Sequence, residues 1–179
     1  MNALSYALLS VLNRKPFTGY ELKKMMELFW QAKYSQIYPL LTKLEQDELL
    51  TFELIGQTSK PDKKIYSITE KGVAALKEWV IHEPASTPVM RDEFLVKLYA
   101  IGLTDPETAR RIFNERLAAK NTNLARLQKE IDLMESQPDA GLTDMTSKLF
   151  GRYLLYKRKF RLEKEEIEWV NWAMSFIPQ

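Results

Sequence analysis

Apolar positions fall into two regimes along this chain. Up to about residue 83 they form short groups parted by turn formers, and from residue 89 they settle into long seven-residue repeats. Residues 3–13, ALSYALLSVLN, are apolar nearly all round, which predicts a buried first helix. Arg14 to Phe17 reads as a connector. Thr18, with Glu21 in capping-box register, opens a second helix, GYELKKMMELFW, that points Leu22, Met25, Met26 and Phe29 inward. A third helix is predicted within YSQIYPLLTKLEQDELL (Tyr34–Leu50), with Ser35 as its N-cap and Pro39 in or near its first turn. Ile37, Leu40, Leu41 and Leu44 share one face of it.

Alternation then replaces the helical period. Leu50, Phe52 and Leu54 alternate with polar residues, as do Tyr66 and Ile68, so two strands flank the polar loop Gly56–Lys64. Thr69 caps a further helix with Val73, Leu76 and Val80 on one side. Pro84 to Pro88 (PASTP) is the break that separates two domains, 1–83 and 89–179. Beyond it, Phe94, Leu95, Leu98 and Ile101 mark a short helix, and Thr104, Pro106 and Glu107 open a long one. Leu117, Leu124, Leu127, Ile131 and Met134 fall on its a and d positions, with Lys120 the polar exception. The last helix repeats the pattern with Leu149, Tyr153, Tyr156, Phe160, Ile167, Val170, Met174 and Ile177, and Glu163 is its charged exception. Two such helices pack as an antiparallel hairpin. Trp169, Trp172 and Phe176 widen the apolar stripe beyond what one neighbour covers, which predicts a homodimer interface along Leu149, Tyr153, Tyr156, Phe160, Ile167, Val170 and Met174. The fold class that follows is mainly α: an N-terminal winged helix-turn-helix with a two-stranded wing, and a C-terminal long-helix dimerisation domain.

Charge adds a direction to this picture. The net charge is +2, but Arg14 to Lys43 holds six basic residues against two acids, a local excess of four. Glu45 to Glu53 holds four acids and no base. The polar face of the third helix carries Gln36, Tyr38, Pro39, Thr42 and Lys43 and meets no acid before Glu45. Such a face suits a major groove, where amides and phenols meet base edges and lysines meet phosphate. Lys23, Lys43 and the wing lysines supply the expected phosphate contacts.

Composition removes other classes. At 45% hydrophobic and 28% charged the chain is ordinary for a soluble protein, and no apolar run approaches the roughly 18 residues that a membrane span requires. No leader pattern is visible, so the expected location is cytoplasmic. There is no cysteine and a single histidine, His82, and no Gly-rich phosphate loop or nucleophile elbow occurs. Neither an enzyme nor a bound cofactor or metal is expected. The competing reading is a helical module that binds another protein and never touches DNA.

TGYELKK, FWQAKYSQIYPLLTKLEQDELL, KKIYSITEKG and RDEFLVKLYA together resemble PadR-type transcriptional regulators. The closing FGRYLLYKRKFRLEKEEIEWV is similar to the helical domain of their longer, virulence-activator-like members. The resemblance implies a homodimeric repressor of a palindromic operator, released by a small effector such as a phenolic acid. It also implies that Tyr20, Ser35, Gln36, Tyr38, Pro39 and Lys43 face DNA, with Lys60, Lys63 and Lys64 at the wing. Two positions depart from the family pattern. Glu48 stands where a glycine usually ends the reading helix, and the wing has lysines and Asp62 where arginines are common. The effector is expected at the junction of the first helix, the linker and the second domain, with Tyr6, Arg91, Lys97 and Tyr99 as candidate contacts.

Overall fold

The computed structural model describes residues 1–56, 63–138 and 140–178. The chain divides into two compact units, Met1–Ala85 and Ser86–Gln179. The first contains α1 (Ala3–Leu12), β1 (Phe17–Thr18), α2 (Gly19–Met26), α3 (Tyr34–Gln46), β2 (Leu50–Ile55), β3 (Lys63–Ile68) and α4 (Glu70–His82). The second contains α5 (Glu93–Tyr99), a 3₁₀ turn (Ile101–Leu103), α6 (Pro106–Glu135) and α7 (Phe150–Met174).

In the first unit, α1 is buried on most of its circumference, as its composition predicts: Leu4, Leu8, Leu9, Val11 and Leu12 join Leu22 and Met26 of α2 and Ile37, Leu41 and Leu44 of α3 in one core. Each such side chain contributes about 1.5–3 kcal/mol on leaving water, so this cluster fixes the α2–α3 pair against α1. The expected connector Arg14–Phe17 holds as far as Pro16, and its last residue joins Thr18 in a short third strand. β1 pairs antiparallel with β3, Phe17 opposite Tyr66, in a sheet of order β1-β3-β2. Two residues are too short to show a period, so the pattern could not announce it. The result is a winged helix in which the hairpin β2–β3 is the wing, Leu50 opposite Ile68 and Ile55 opposite Lys63.

Several expected details are corrected. α2 stops at Met26, and Phe29 is exposed, because the chain turns there with the N–H groups of Phe29 and Trp30 both donating to the Met26 carbonyl. Ser35 does not cap α3. Lys33 is the N-cap residue, and the Gln36 side chain reaches back so that Lys33 N–H donates to its Oε1 at 2.9 Å. Pro39 therefore lies in the second turn, where it denies the Ser35 carbonyl its helical donor. On α4 the inward face is Gly72, Ala75, Leu76 and Trp79, whereas Val73 and Val80 are exposed, because Trp79 stacks on Tyr6 at 4.6 Å.

The end of α3 bears directly on Glu48. Leu49 N–H donates to the Leu44 carbonyl at 2.8 Å and Glu48 N–H to that of Glu45 at 2.9 Å, the two bonds of a Schellman turn. Glu48 sits at φ +60°, the left-handed position that glycine usually fills. The turn keeps its geometry without glycine. Thr69 Oγ1 donates to the Glu48 carbonyl at 2.8 Å, and Lys71 pairs with its carboxylate at 3.0 Å. Immediately beside this turn, a Cβ on Gly72 would lie 2.1 Å from the Leu49 carbonyl oxygen, so α4 can dock there only with glycine.

In the second unit, Asp105 rather than Thr104 caps α6, accepting from Thr108 N–H at 2.8 Å; the Thr104 hydroxyl is turned back to the Ile101 carbonyl. α6 and α7 form the expected antiparallel hairpin. Ion pairs mark its register: Arg116 to Glu166, Lys120 to Glu163, and Glu130 to Arg152. α5 is held to the hairpin by Phe94, whose ring meets Phe113 at 5.7 Å and Trp169 at 6.3 Å edge-on. Arg116 lies over that ring at 4.6 Å and donates to Asp92 at 2.7 Å and to Glu166. Burial would raise the Asp92 carboxyl, but the hydrogen bonds from Arg116 and the Phe94 N–H outweigh it and hold it below the usual carboxylate range.

Candidate nucleic-acid interface

The site begins at Thr18. Its hydroxyl accepts from Glu21 N–H at 3.3 Å, while its own N–H and O–H donate to Glu21 Oε2 at 2.8 and 2.7 Å. That reciprocal box fixes the start of α2 beside the sheet and, by stabilising the Glu21 carboxylate, lowers its pKa. Tyr20, just inside α2, is exposed. On the same helix Lys23 pairs with Glu27, and its Nζ also lies 5.3 Å above the Tyr34 ring.

α3 buries Ile37, Leu41 and Leu44 and leaves Ser35, Gln36, Tyr38, Pro39, Thr42 and Lys43 exposed. The sequence periodicity thus separates the two faces as expected. Tyr38 keeps 47% of its surface exposed although its ring is stacked on Tyr34 at 6.0 Å and rests against Gly19. Gln36 has a double part, since its Oε1 is spent on the helix cap while its amide N–H groups are left by that bond. At the wing, Lys63 and Lys64 are exposed, and Lys64 Nζ sits 3.8 Å from the centre of the Phe52 ring. Lys60 and Asp62 lie outside the described residues.

The other expected sites fare differently. Tyr6 is stacked on Trp79 inside the first unit. Arg91, Lys97 and Tyr99 are exposed in the second, Tyr99 at 97%. The charged node there is Arg116 with Asp92 and Glu166, which the sequence reading did not single out; the spacing of an arginine one turn before Lys120 was its available signal. Of the expected dimer residues, Tyr156 and Val170 are buried within the chain, because the heptad seam of α7 faces α6. Tyr153, Phe160, Ile167 and Met174 are half-buried, as is Leu149, the residue just before α7. The apolar side chains left exposed along α7 and just after it include Leu154, Leu162, Trp172 and Phe176. Gly19 and Tyr34 were also passed over in the sequence, although the Gly-Tyr pair within TGYELKK placed a small residue at the entrance of α2.

Residues 8–78 match the family described as transcriptional regulator PadR-like, and residues 90–177 match virulence activator alpha C-term. The negative transcriptional regulator PadR of Bacillus subtilis (strain 168) is 30% identical over 181 residues, spanning 99% of this chain and 98% of that protein. The crystal structure of B. subtilis PadR in complex with operator DNA superposes with a TM-score of 0.80 at 31% identity, covering 99% of both chains. Its complex with p-coumaric acid gives 0.74 at 28% identity, covering 99% of this chain and all of that one.

Proposed function

This chain belongs to the PadR-like family of transcriptional regulators, and from that premise we propose that it is a homodimeric repressor whose operator is a palindrome. The observation that carries the reading is the exposed, acid-free face of α3, from Ser35 to Lys43, flanked by the exposed wing residues Lys63 and Lys64. Gln36 and Tyr38 read base edges in the major groove, and Tyr20, Ser35 and Pro39 line the approach. Lys23, Lys43, Lys63, Lys64 and, beyond the described residues, Lys60 neutralise phosphates. The long helices hold the dimer, with Leu162, Trp172 and Phe176 adding apolar surface to Phe160 and Ile167.

The effector is a phenolic acid. A relative of this length is described in complex with p-coumaric acid, and such a ligand needs a cation for its carboxylate and a polar partner for its hydroxyl. Arg91, Lys97 and Tyr99 in the second unit have those groups at the surface. Release requires that the ligand favour one arrangement of the dimer over the other, since equal affinity for both shifts nothing.

The deciding experiment is a fluorescence-anisotropy titration of the chain against its operator and against random duplex at two or more salt concentrations. Log K is expected to fall with log salt at about −0.9 per phosphate contact, and Lys63→Ala with Lys64→Ala to weaken binding to both duplexes alike. Sedimentation is expected to give a dimer at micromolar protein, and p-coumaric acid to dissociate the complex. Absence of binding at every salt concentration would leave a protein-binding helical module in its place.

A further inference from the structure

Gly19 is the first residue of α2 and is buried. A Cβ built there would lie 2.8 Å from Tyr38 Cε1, closer than such atoms sit in folded proteins, and 3.0 Å from its Cζ and Oη, tighter than most such contacts. Those three nearest atoms all belong to one side chain. Tyr38 in turn stacks on Tyr34, and the Lys23 ammonium of α2 lies 5.3 Å above the Tyr34 ring, so the contact anchors a pair of exposed tyrosines on α3 that meets a lysine of α2.

We propose that Gly19 is a positioning residue for DNA binding: its missing side chain is the seat that holds the Tyr38 phenol in a single orientation on the reading face. This rests on the DNA-binding reading above. The fold has no need of glycine here, because α2 is capped by Thr18 and Glu21 and alanine is the better helix former. Gly72 shows the contrast. There the obstacle is a backbone carbonyl at 2.1 Å, which cannot move aside, whereas at Gly19 it is the end of a rotatable ring. A methyl group at residue 19 therefore leaves the fold intact and evicts the phenol. A freed phenol must be ordered again on each binding event, and that loss is read as affinity.

The test joins Gly19→Ala with Tyr38→Ala. Gly19→Ala is expected to keep or raise Tm, to leave the salt slope unchanged, and to weaken operator binding roughly tenfold, with little effect on random duplex. In the Tyr38→Ala background the same change is expected to alter affinity by less than about twofold, because the group it displaces is gone. In protein carrying 3-fluorotyrosine, the ¹⁹F resonance assigned through Tyr38→Phe is expected to shift in Gly19→Ala without DNA present. An unmoved Tyr38 resonance, or an equal loss of affinity with and without Tyr38, would overturn the proposal. If the wild type binds no duplex at all, the DNA-binding reading fails and the proposal with it, whatever the resonance shows about the seat.

Discussion

Lys120 and Glu163, the two charged residues that interrupt the heptad seams of the long helices, face each other across the hairpin with Nζ and Oε2 3.1 Å apart. Glu163 is only 2% exposed, and Lys159 approaches its other oxygen at 3.2 Å. A slip of α7 by one heptad would set Lys120 against Tyr156 or Val170 and leave both charges without their partner. The pair thus specifies register more than it adds stability. Lys120→Met alone is expected to destabilise the protein by about 3 kcal/mol in urea unfolding, since Glu163 stays buried with Lys159 alone. Lys120→Met combined with Glu163→Leu is expected to recover to within about 1 kcal/mol of wild type. A double variant as unstable as the single one would refute this account.

The Schellman turn after α3 predicts an opposite pair of glycine effects. Glu48→Gly relieves a left-handed backbone, a conformation that costs a side-chain-bearing residue about 1–2 kcal/mol, and forfeits only the exposed pair with Lys71. Thermal unfolding is expected to move up by a few degrees.

Gly72→Ala is expected to do the reverse. Its methyl would enter the space of the Leu49 carbonyl, so α4 must shift away from the turn, costing at least about 1–3 kcal/mol. Tm is the readout, and an unchanged Tm would show that α4 docks with slack.

Acid stability follows from Asp92 and Glu21. Both have folded pKa values below their unfolded ones, Asp92 through Arg116 and Glu21 through Thr18. Between the two values the unfolded state binds more protons, so stability rises with pH there. The contribution is fully present above the unfolded values, near 4, and is lost as pH falls through the folded ones. Asp92→Asn is expected to flatten the acid limb of stability against pH and to leave the profile above pH ~6 flat.

Gln36 serves both the helix cap and the reading face, and the two parts can be separated. Gln36→Ala is expected to lose up to about 1 kcal/mol of stability along with operator affinity. Gln36→Glu keeps an acceptor for Lys33 N–H at a helix N-terminus that favours negative charge, so Tm is expected to hold. Operator binding is still expected to fall by about 1–3 kcal/mol, because the amide donor is gone and an anion faces the phosphates. Full affinity in Gln36→Glu would reduce Gln36 to a cap.

The sequence by itself determined whatever depends on local period and local chemistry. Ile37, Leu41 and Leu44 at helical spacing separated a buried from an exposed face of α3, Thr18 with Glu21 announced α2, and the alternation around Phe52 and Tyr66 announced the wing. The two polar interruptions at Lys120 and Glu163 were visible as well, each on its own helix. Only the tertiary structure decided that they meet, since partnership across a hairpin depends on register and not on either pattern alone. It also decided that β1 exists, because two residues become a strand only when β3 offers them a ladder. It moved the N-cap from Ser35 to Lys33, where Gln36 could reach back, and moved that of α6 from Thr104 to Asp105. Glu48 kept the turn that its identity argues against, held by backbone bonds to Leu44 and Glu45 and by Thr69. Tyr156 and Val170 were legible as apolar seam residues, but an apolar seam does not say which neighbour covers it; packing against α6 did. Gly19 and Gly72 look alike in sequence, and only the atoms placed beside them, a phenol for one and a carbonyl for the other, tell their roles apart.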